Sequence, residues 1–194
     1  PPRSTLFPYT TLFRSMDKDS NGTLTLDEFN QFKVSVPFQP TGTSILDAIK
    51  ITTGNTGSII YDPRAKNLGS NSLVLAVVGE YPYAEGYGDN PDIGLNSFDT
   101  AVLERCYQSD NKIVVIIFSG RPLIIKDHID KWDALVAAWL PGMAGEGIAD
   151  VLFGDYAPTG KLSFSWPKDI LQLPLNFGES NYDPLFPFGF GLTY

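Results

Sequence analysis

The side chains best suited to chemistry follow a short apolar run, Leu73–Val78. The loop after Gly79 carries Glu80, Glu85 and Asp89 together with three tyrosines. Apolar runs of this length, rich in valine and leucine, are typical of strands buried on both faces of a parallel sheet, and ligands of open α/β sheets bind beyond the carboxyl ends of such strands. The three acids are therefore candidates for a catalytic or binding role. The alternative is a solvated loop whose acids face water.

A second set of candidate ligands lies near the amino terminus, in Asp17–Glu28. Its sequence, DKDSNGTLTLDE, matches the calcium-loop pattern of an EF-hand, D-x-[DN]-x-[DN]-G-x5-E, at every required position. The pattern predicts a calcium ion bound by side-chain oxygens and one backbone carbonyl, the carbonyl being that of Thr23. The predicted ligands are Asp17, Asp19, Asn21, Thr23 and Glu28. An EF-hand also has a helix on each side and normally a paired loop, so the alternative interpretation is a simple acidic turn.

The first fifteen residues differ from everything that follows. The segment TLFPYTTLFRS has neither a helical period nor clean alternation, and it resembles the translation of a sequencing-library adapter. We interpret Pro1–Ser15 as a non-biological peptide and leave it out of the fold prediction. Residues 16–36 then form the EF-hand-like segment, and the natural amino terminus is expected to be missing.

Composition excludes several classes of partner. The chain has 14 basic and 22 acidic residues and a net charge of −8, which argues against binding to nucleic acid or to an anionic membrane. No apolar run approaches the roughly 18 residues needed to span a bilayer. The single cysteine excludes an internal disulfide and a cysteine-based zinc site.

Strand and helix patterns alternate from residue 43 onward, which predicts crossover connections and a mostly parallel sheet. The predicted strands are Ser58–Tyr61, Leu73–Val78, Lys112–Ser119, Leu135–Leu140 and, as an edge strand, Lys161–Trp166. The predicted helices are Thr43–Ile51 with a cap at Ser44, Ser97–Tyr107 with Ser97 as its N-cap, and Gly145–Phe153. The predicted fold is therefore an α/β sandwich, with helices on both faces of the sheet and a short EF-hand-like segment at its amino terminus. Residues 173–194 are expected to be ordered but irregular.

Other motifs give weaker signals. The chain has one histidine, His128, and no G-x-S-x-G motif, so a serine-hydrolase triad is not expected. Arg121 follows an apolar strand and is expected either to pack and cap or to hold a carboxylate or sugar hydroxyl. The positions of Trp132, Trp139 and Trp166 indicate core and turn packing rather than a sugar platform.

Five segments, taken together and in order, resemble the carboxyl-terminal domain of family 3 glycoside hydrolases, in its β-glucosidase/exo-β-glucanase branch. They are TGTSILDAIK (41–50), VVGEYPYAEGYGD (77–89), IVVIIFSGRPLII (113–125), the segment 133–168 and YDPLFPFGFGLTY (182–194). The resemblance assigns residues 41–194 to that domain. The sequence departs from that family upstream of residue 41, where Phe38-Gln39-Pro40 stands in the place of a tryptophan of the family's aromatic sandwich.

The resemblance implies a retaining reaction shared between two domains. The nucleophilic aspartate would lie on an amino-terminal (β/α)8 barrel that is absent here, and the acid/base glutamate would be Glu85. Glu80 instead resembles a structural acid at the strand end. The partners implied are a β-glucoside or β-glucan oligosaccharide and the missing barrel. No cofactor is needed for that chemistry.

Three functions follow from these observations. The first is a fragment of a β-glucosidase-type hydrolase, inactive in isolation. The second is a calcium-binding protein defined by residues 17–28, and the third is a non-catalytic sugar-binding domain. The chain shows no targeting signal of its own, and the resemblance implies a secreted, periplasmic or vacuolar compartment.

Overall fold

The computed structural model describes residues 42–54, 59–70 and 72–193. The chain divides between Thr41 and Gly42 into two units, and all of the described residues belong to the second, Gly42–Tyr194. The calcium-loop prediction at residues 17–28 and the interpretation of residues 1–15 both fall outside the described ranges.

Three parallel strands form the sheet of the described residues, in the order β1-β2-β3. Strand β1 is Leu73–Gly79, β2 is Lys112–Phe118 and β3 is Ala134–Trp139. Helix α1 (Ile45–Thr52) precedes β1, α2 (Ser97–Cys106) joins β1 to β2, the short α3 (Lys126–Ile129) lies between β2 and β3, and α4 (Gly145–Phe153) follows β3. The predicted α/β fold, a parallel sheet with helices, is confirmed.

The burial of the central strand β2 on both faces explains why its sequence IVVIIF is apolar throughout. Val115, Ile116 and Ile117 are fully buried, so both faces of β2 are covered. On one face, Val115 and Ile117 join the main core with Leu103 of α2 and with Trp166, which comes from the chain after α4. Burying a side chain of this size contributes about 1.5–3 kcal/mol to folding.

Helices α1 and α2 begin at side-chain caps, one of which differs from the prediction. Ser44 caps α1, because its hydroxyl accepts the Asp47 backbone N–H at 3.1 Å. The N-cap of α2 is Asn96, not Ser97 as predicted. The Asn96 side-chain oxygen accepts the Asp99 N–H at 2.9 Å, and its amide nitrogen donates to the Gly79 carbonyl at 3.2 Å. That second bond is available only to the residue that lies next to β1.

Three strand predictions need correction. Ile59–Tyr61, the described part of the predicted strand 58–61, is not a strand. Residues 161–166 form only an isolated antiparallel bridge, between Trp166 and Phe186. Strand β1 is an edge strand of the described sheet, and Leu73 and Val77 are 61% and 43% exposed. The prediction that β1 is buried on both faces is therefore wrong, because one face is open along alternate residues.

Candidate functional site

The carboxyl ends of the three strands meet at one edge of the sheet. Gly79, the last residue of β1, pairs with Phe118, the last residue of β2, and Phe118 in turn pairs with Trp139 at the end of β3. The loops that leave these strands therefore start side by side. This is the edge at which ligands of parallel α/β sheets bind.

The loop after β1 is fixed at its start by backbone hydrogen bonds. The Gly79 N–H donates to Oδ2 of Asp99 in the first turn of α2, at 2.9 Å. The Glu80 N–H donates to the Phe118 carbonyl, also at 2.9 Å. These bonds tie the end of β1 both to α2 and to β2, so the loop leaves the sheet from a defined position.

Glu80 is committed to an ion pair. Its side chain is 15% exposed, and Oε1 lies 3.0 Å from Nε of Arg121. The other carboxylate oxygen accepts a hydrogen bond from the Tyr83 hydroxyl at 3.0 Å. Arg121, for which packing, carboxylate binding and sugar binding were all open from the sequence, thus holds a carboxylate. Both oxygens of Glu80 are occupied, which suits a structural acid.

Glu85 has the opposite surroundings. It begins a 3-10 helix, Glu85–Gly88, and it is exposed. Its backbone φ is +50°, in the left-handed region that non-glycine residues rarely adopt. Asp89, which ends this turn, is also exposed. Of the three acids in the loop, Glu80 is thus held within the protein, whereas Glu85 and Asp89 are open to a ligand.

A groove of about 430 Å³ lies at the same edge. Its lining includes Ser119, which follows β2, and Trp139, which ends β3. Lys161 and Phe164, from the chain after α4, also line it. The Trp139 ring is half-buried and meets Phe164 edge-on at 5.3 Å between ring centroids. The Lys161 amine donates to the carbonyl of Gly191. Trp139 is therefore held in an aromatic cluster, in line with the packing role predicted for it.

The other two tryptophans are buried, and the single histidine packs against one of them. Trp132 is 9% exposed and donates its indole N–H to the Tyr107 hydroxyl at 2.8 Å. Trp166 is 1% exposed and donates to the Leu123 carbonyl at 2.8 Å. His128 is half-buried and stacks on Trp132. Their packing confirms the interpretation of these tryptophans as core residues.

The predicted calcium ligands Asp17, Asp19, Asn21, Thr23 and Glu28 lie outside the described ranges, so the calcium site stays a prediction. Within the described ranges, no group of three or more His, Cys, Asp and Glu side chains could hold a metal ion. In the same part of the chain, no helix is both long and apolar enough to cross a membrane.

An exposed glutamate at the carboxyl edge of a parallel sheet can give a proton to a ligand bound there or take one from it. Comparison with known proteins identifies the family of the chain. A family profile described as "Glycosyl hydrolase family 3 C-terminal domain" matches residues 18–194. The chain therefore belongs to glycosyl hydrolase family 3. The match begins inside the calcium-loop segment 17–28, so the two patterns overlap there.

Relatives and solved structures agree with this assignment. The chain is 34% identical over 145 residues to a β-xylosidase of Formosa agariphila, covering 67% of this chain and 20% of that protein. It is 29% identical over 171 residues to a periplasmic β-glucosidase of Salmonella typhimurium, covering 76% and 22%. The crystal structure of the β-D-glucoside glucohydrolase of Trichoderma reesei has the same fold, with a TM-score of 0.69 at 20% identity, over 80% of this chain and 27% of that one. The chain thus spans about a fifth of the length of the curated relatives it matches.

Proposed function

We propose that this chain is the second domain of a retaining β-glucosidase-type glycoside hydrolase and that Glu85 is its general acid/base. The observation that carries the proposal is that the two glutamates of one loop have opposite surroundings. Glu80 has both carboxylate oxygens engaged by Arg121 and Tyr83, whereas Glu85 is exposed at the carboxyl edge of the sheet. Membership of the family supports a glycosidase, and the position of Glu85 in the loop supports its role.

The chemistry requires two carboxyl groups about 5–5.5 Å apart. A carboxylate nucleophile on a (β/α)8 barrel domain attacks the anomeric carbon, while the carboxylic acid of Glu85 gives its proton to the departing glycosidic oxygen. The bond from sugar to leaving group breaks as the bond from sugar to enzyme forms. The Glu85 carboxylate then takes a proton from water as the water oxygen bonds to the anomeric carbon. The bond from sugar to enzyme breaks, which releases the sugar, frees the carboxylate nucleophile and restores the acid form of Glu85.

The substrate proposed is a β-glucoside or β-glucan oligosaccharide, and no cofactor takes part in the reaction. The nucleophile is supplied by the barrel, so the isolated chain is expected to be inactive. A secreted, periplasmic or vacuolar compartment accompanies this proposal. One relative is named as a periplasmic β-glucosidase, which supports it.

The test uses the complete protein, with this domain behind its barrel, and the substitution Glu85→Gln. We expect kcat/KM on a β-glucoside with a poor leaving group to fall by about 10²–10⁴-fold, the usual contribution of general acid catalysis. With an activated aryl leaving group, which departs without a proton, kcat/KM should change little. Azide attacks the glycosyl–enzyme without a general base, so adding it to Glu85→Gln should raise kcat on the activated substrate.

Glu104→Gln is the matched control, because Glu104 is exposed on helix α2. This control variant should leave kcat/KM on both substrates unchanged. Full kcat/KM of Glu85→Gln on the poor leaving group would refute the assignment.

A second function rests on the sequence of residues 17–28 alone. We propose that this segment binds calcium, since it satisfies every required position of the EF-hand loop pattern. Isothermal calorimetry of the full chain with calcium tests this proposal, with Glu28→Gln as the variant that removes the predicted bidentate ligand. Absence of heat at millimolar calcium would rule it out.

A further inference from the structure

Tyr83 occupies the centre of the loop that carries both glutamates. Its hydroxyl donates to Oε2 of Glu80 at 3.0 Å and accepts from Nε of Arg121, also at 3.0 Å. The Arg121 guanidinium carbon lies 4.4 Å from the centre of the Tyr83 ring. The guanidinium therefore both stacks on the ring and bonds the hydroxyl, which fixes the position and the rotation of the side chain.

Tyr83, although 37% exposed, also lies against two glycines on different loops. A Cβ atom added at Gly88 would lie 2.7 Å from Cδ2 of Tyr83, and one added at Gly120 would lie 2.7 Å from its hydroxyl oxygen. Only glycine allows the two backbones to approach the ring so closely. Tyr83 consequently contacts the downstream end of its own loop, at Gly88, and the loop that follows β2, at Gly120.

Glu85 lies between these fixed points. Upstream, Tyr83 is held by Glu80 and Arg121, and downstream its ring contacts Gly88. Glu85 adopts a left-handed backbone conformation with φ at +50°. Such conformations persist only where the surrounding structure holds them, and the contacts of Tyr83 on both sides of Glu85 provide that restraint.

We infer that Tyr83 is the positioning residue for Glu85, and that the ion pair of Glu80 with Arg121 serves to hold Tyr83. Tyr83 does not contact the reacting atoms in this role. It keeps the backbone of Glu85 in the conformation that presents the carboxyl group at the edge of the sheet. The inference rests on the proposed function of Glu85, and it adds a cluster that acts through that residue.

Tyr81 offers a matched control within the same loop. It is two residues from Tyr83 and is 82% exposed. Tyr81→Ala removes the same side chain as Tyr83→Ala but leaves the contacts with Glu80, Arg121 and the two glycines intact.

The first measurement uses the chain itself. The Asp89 N–H donates to the Gly86 carbonyl at 3.1 Å, and its hydrogen exchange reports whether the Glu85 turn is held. The Glu80 N–H, bonded to Phe118, reports on the strand end instead. We expect Tyr83→Ala to accelerate exchange at Asp89 at least tenfold more than at Glu80, and Tyr81→Ala to change neither. Equal exchange at Asp89 in both variants would overturn the inference whether or not the chain is a glycosidase.

The second measurement uses the complete enzyme and compares leaving groups. Misplacing a catalytic group by about 1 Å costs up to about 10²-fold in rate. Tyr83→Ala should therefore lower kcat/KM on a poor leaving group by about 10²-fold and leave kcat/KM on an activated one nearly unchanged. Tyr83→Phe, which keeps the ring but loses both hydroxyl bonds, should show the same split at about 10-fold. A residue needed only for folding would lower both rates in the same proportion.

A double variant completes the test. If Tyr83 acts through Glu85, Tyr83→Ala combined with Glu85→Gln is no slower than Glu85→Gln alone. If the rate losses of the two single variants multiply in the double variant, the positioning role is overturned while Glu85 remains the acid/base. The same conclusion follows if Tyr83→Phe lowers kcat/KM equally on both substrates. Where Tyr83→Ala does not fold, Tyr83→Phe carries the same comparisons, and full activity of that variant on the poor leaving group also overturns the inference. Full activity of Glu85→Gln would instead refute the proposed function.

Discussion

Among the glycines of the described residues, Gly79 is the one at which an added methyl group meets the shortest contact. It is the last residue of β1, and a Cβ atom built there would overlap the carbonyl oxygen of Phe118 and lie 2.8 Å from the carbonyl carbon. The obstacle is backbone of the neighbouring strand, which cannot rotate away as a side chain can. In Gly79→Ala, the end of β1 must therefore shift away from β2, which also moves the Gly79 N–H away from its partner on α2.

The magnitude follows from the hydrogen bonds that such a separation breaks. The bond from the Glu80 N–H to the Phe118 carbonyl contributes about 1 kcal/mol, and the bond from the Gly79 N–H to the Asp99 carboxylate about 1.5–3 kcal/mol. We expect Gly79→Ala to lower the free energy of unfolding by about 3 kcal/mol. For a chain of this size, that corresponds to a fall in Tm of about 6–12 °C.

The assay is urea unfolding of the full chain, followed by circular dichroism, with a thermal melt beside it. Gly147→Ala is the control, because a Cβ there meets nothing within 4 Å and the residue lies inside helix α4. Replacing this glycine should raise stability by about 1 kcal/mol through helix propensity. A loss below about 1 kcal/mol in Gly79→Ala would refute the packing argument, since partial relaxation alone could not restore both bonds.

Two further predictions concern the core. Trp166→Phe should lower the free energy of unfolding by about 3 kcal/mol, because it leaves the buried Leu123 carbonyl without its donor and opens a cavity. The control Leu171→Ala, at a residue 90% exposed, should lower it by less than about 0.5 kcal/mol. Similar losses in both variants, measured by urea unfolding, would contradict the anchoring of the chain by Trp166. Burial, with a smaller contribution from the Lys131 charge, lowers the pKa of His128 below its usual 6.5. The unfolded chain then binds a proton before the folded one, so stability should fall as the pH drops below about 6.5. The loss between pH 7.5 and 5.5, measured by urea unfolding, should be smaller in His128→Gln, and an unchanged pH dependence would contradict the pKa direction.

Segments with strong local signals were predicted well. Helix α4 has the predicted bounds, Gly145–Phe153, and α1 has the predicted cap at Ser44. Strand β2 differs from its prediction by one residue at its carboxyl end. In each case the local pattern is unambiguous: hydrophobic periodicity in α4, a capping serine in α1 and a β-branched run in β2. Neighbours in the chain are therefore sufficient to specify these elements.

Local signals failed where a distant part of the chain decides. Asn96 and Ser97 are both good N-caps, and the contact of Asn96 with the Gly79 carbonyl selects between them. Alternation in 161–166 suggested an edge strand, yet this segment pairs with the carboxyl-terminal residues only through an isolated bridge at Trp166 and the backbone hydrogen bonds of Leu162. The apolar run of β1 likewise gave no indication that one of its faces would be open.

The sequence by itself determined the α/β class, the family and the position of Glu85 after a parallel strand, because these depend on patterns that run along the chain. It also supplied the calcium-loop pattern of residues 17–28. Only the tertiary structure decided which acids are free: Arg121 lies 41 positions after Glu80, yet the pairing of β1 with β2 brings the two into contact. The same pairing brings Gly120, in the loop after β2, against the hydroxyl group of Tyr83. Spacing along the chain carries no information on such contacts, since they arise from the register of strands that are distant in sequence.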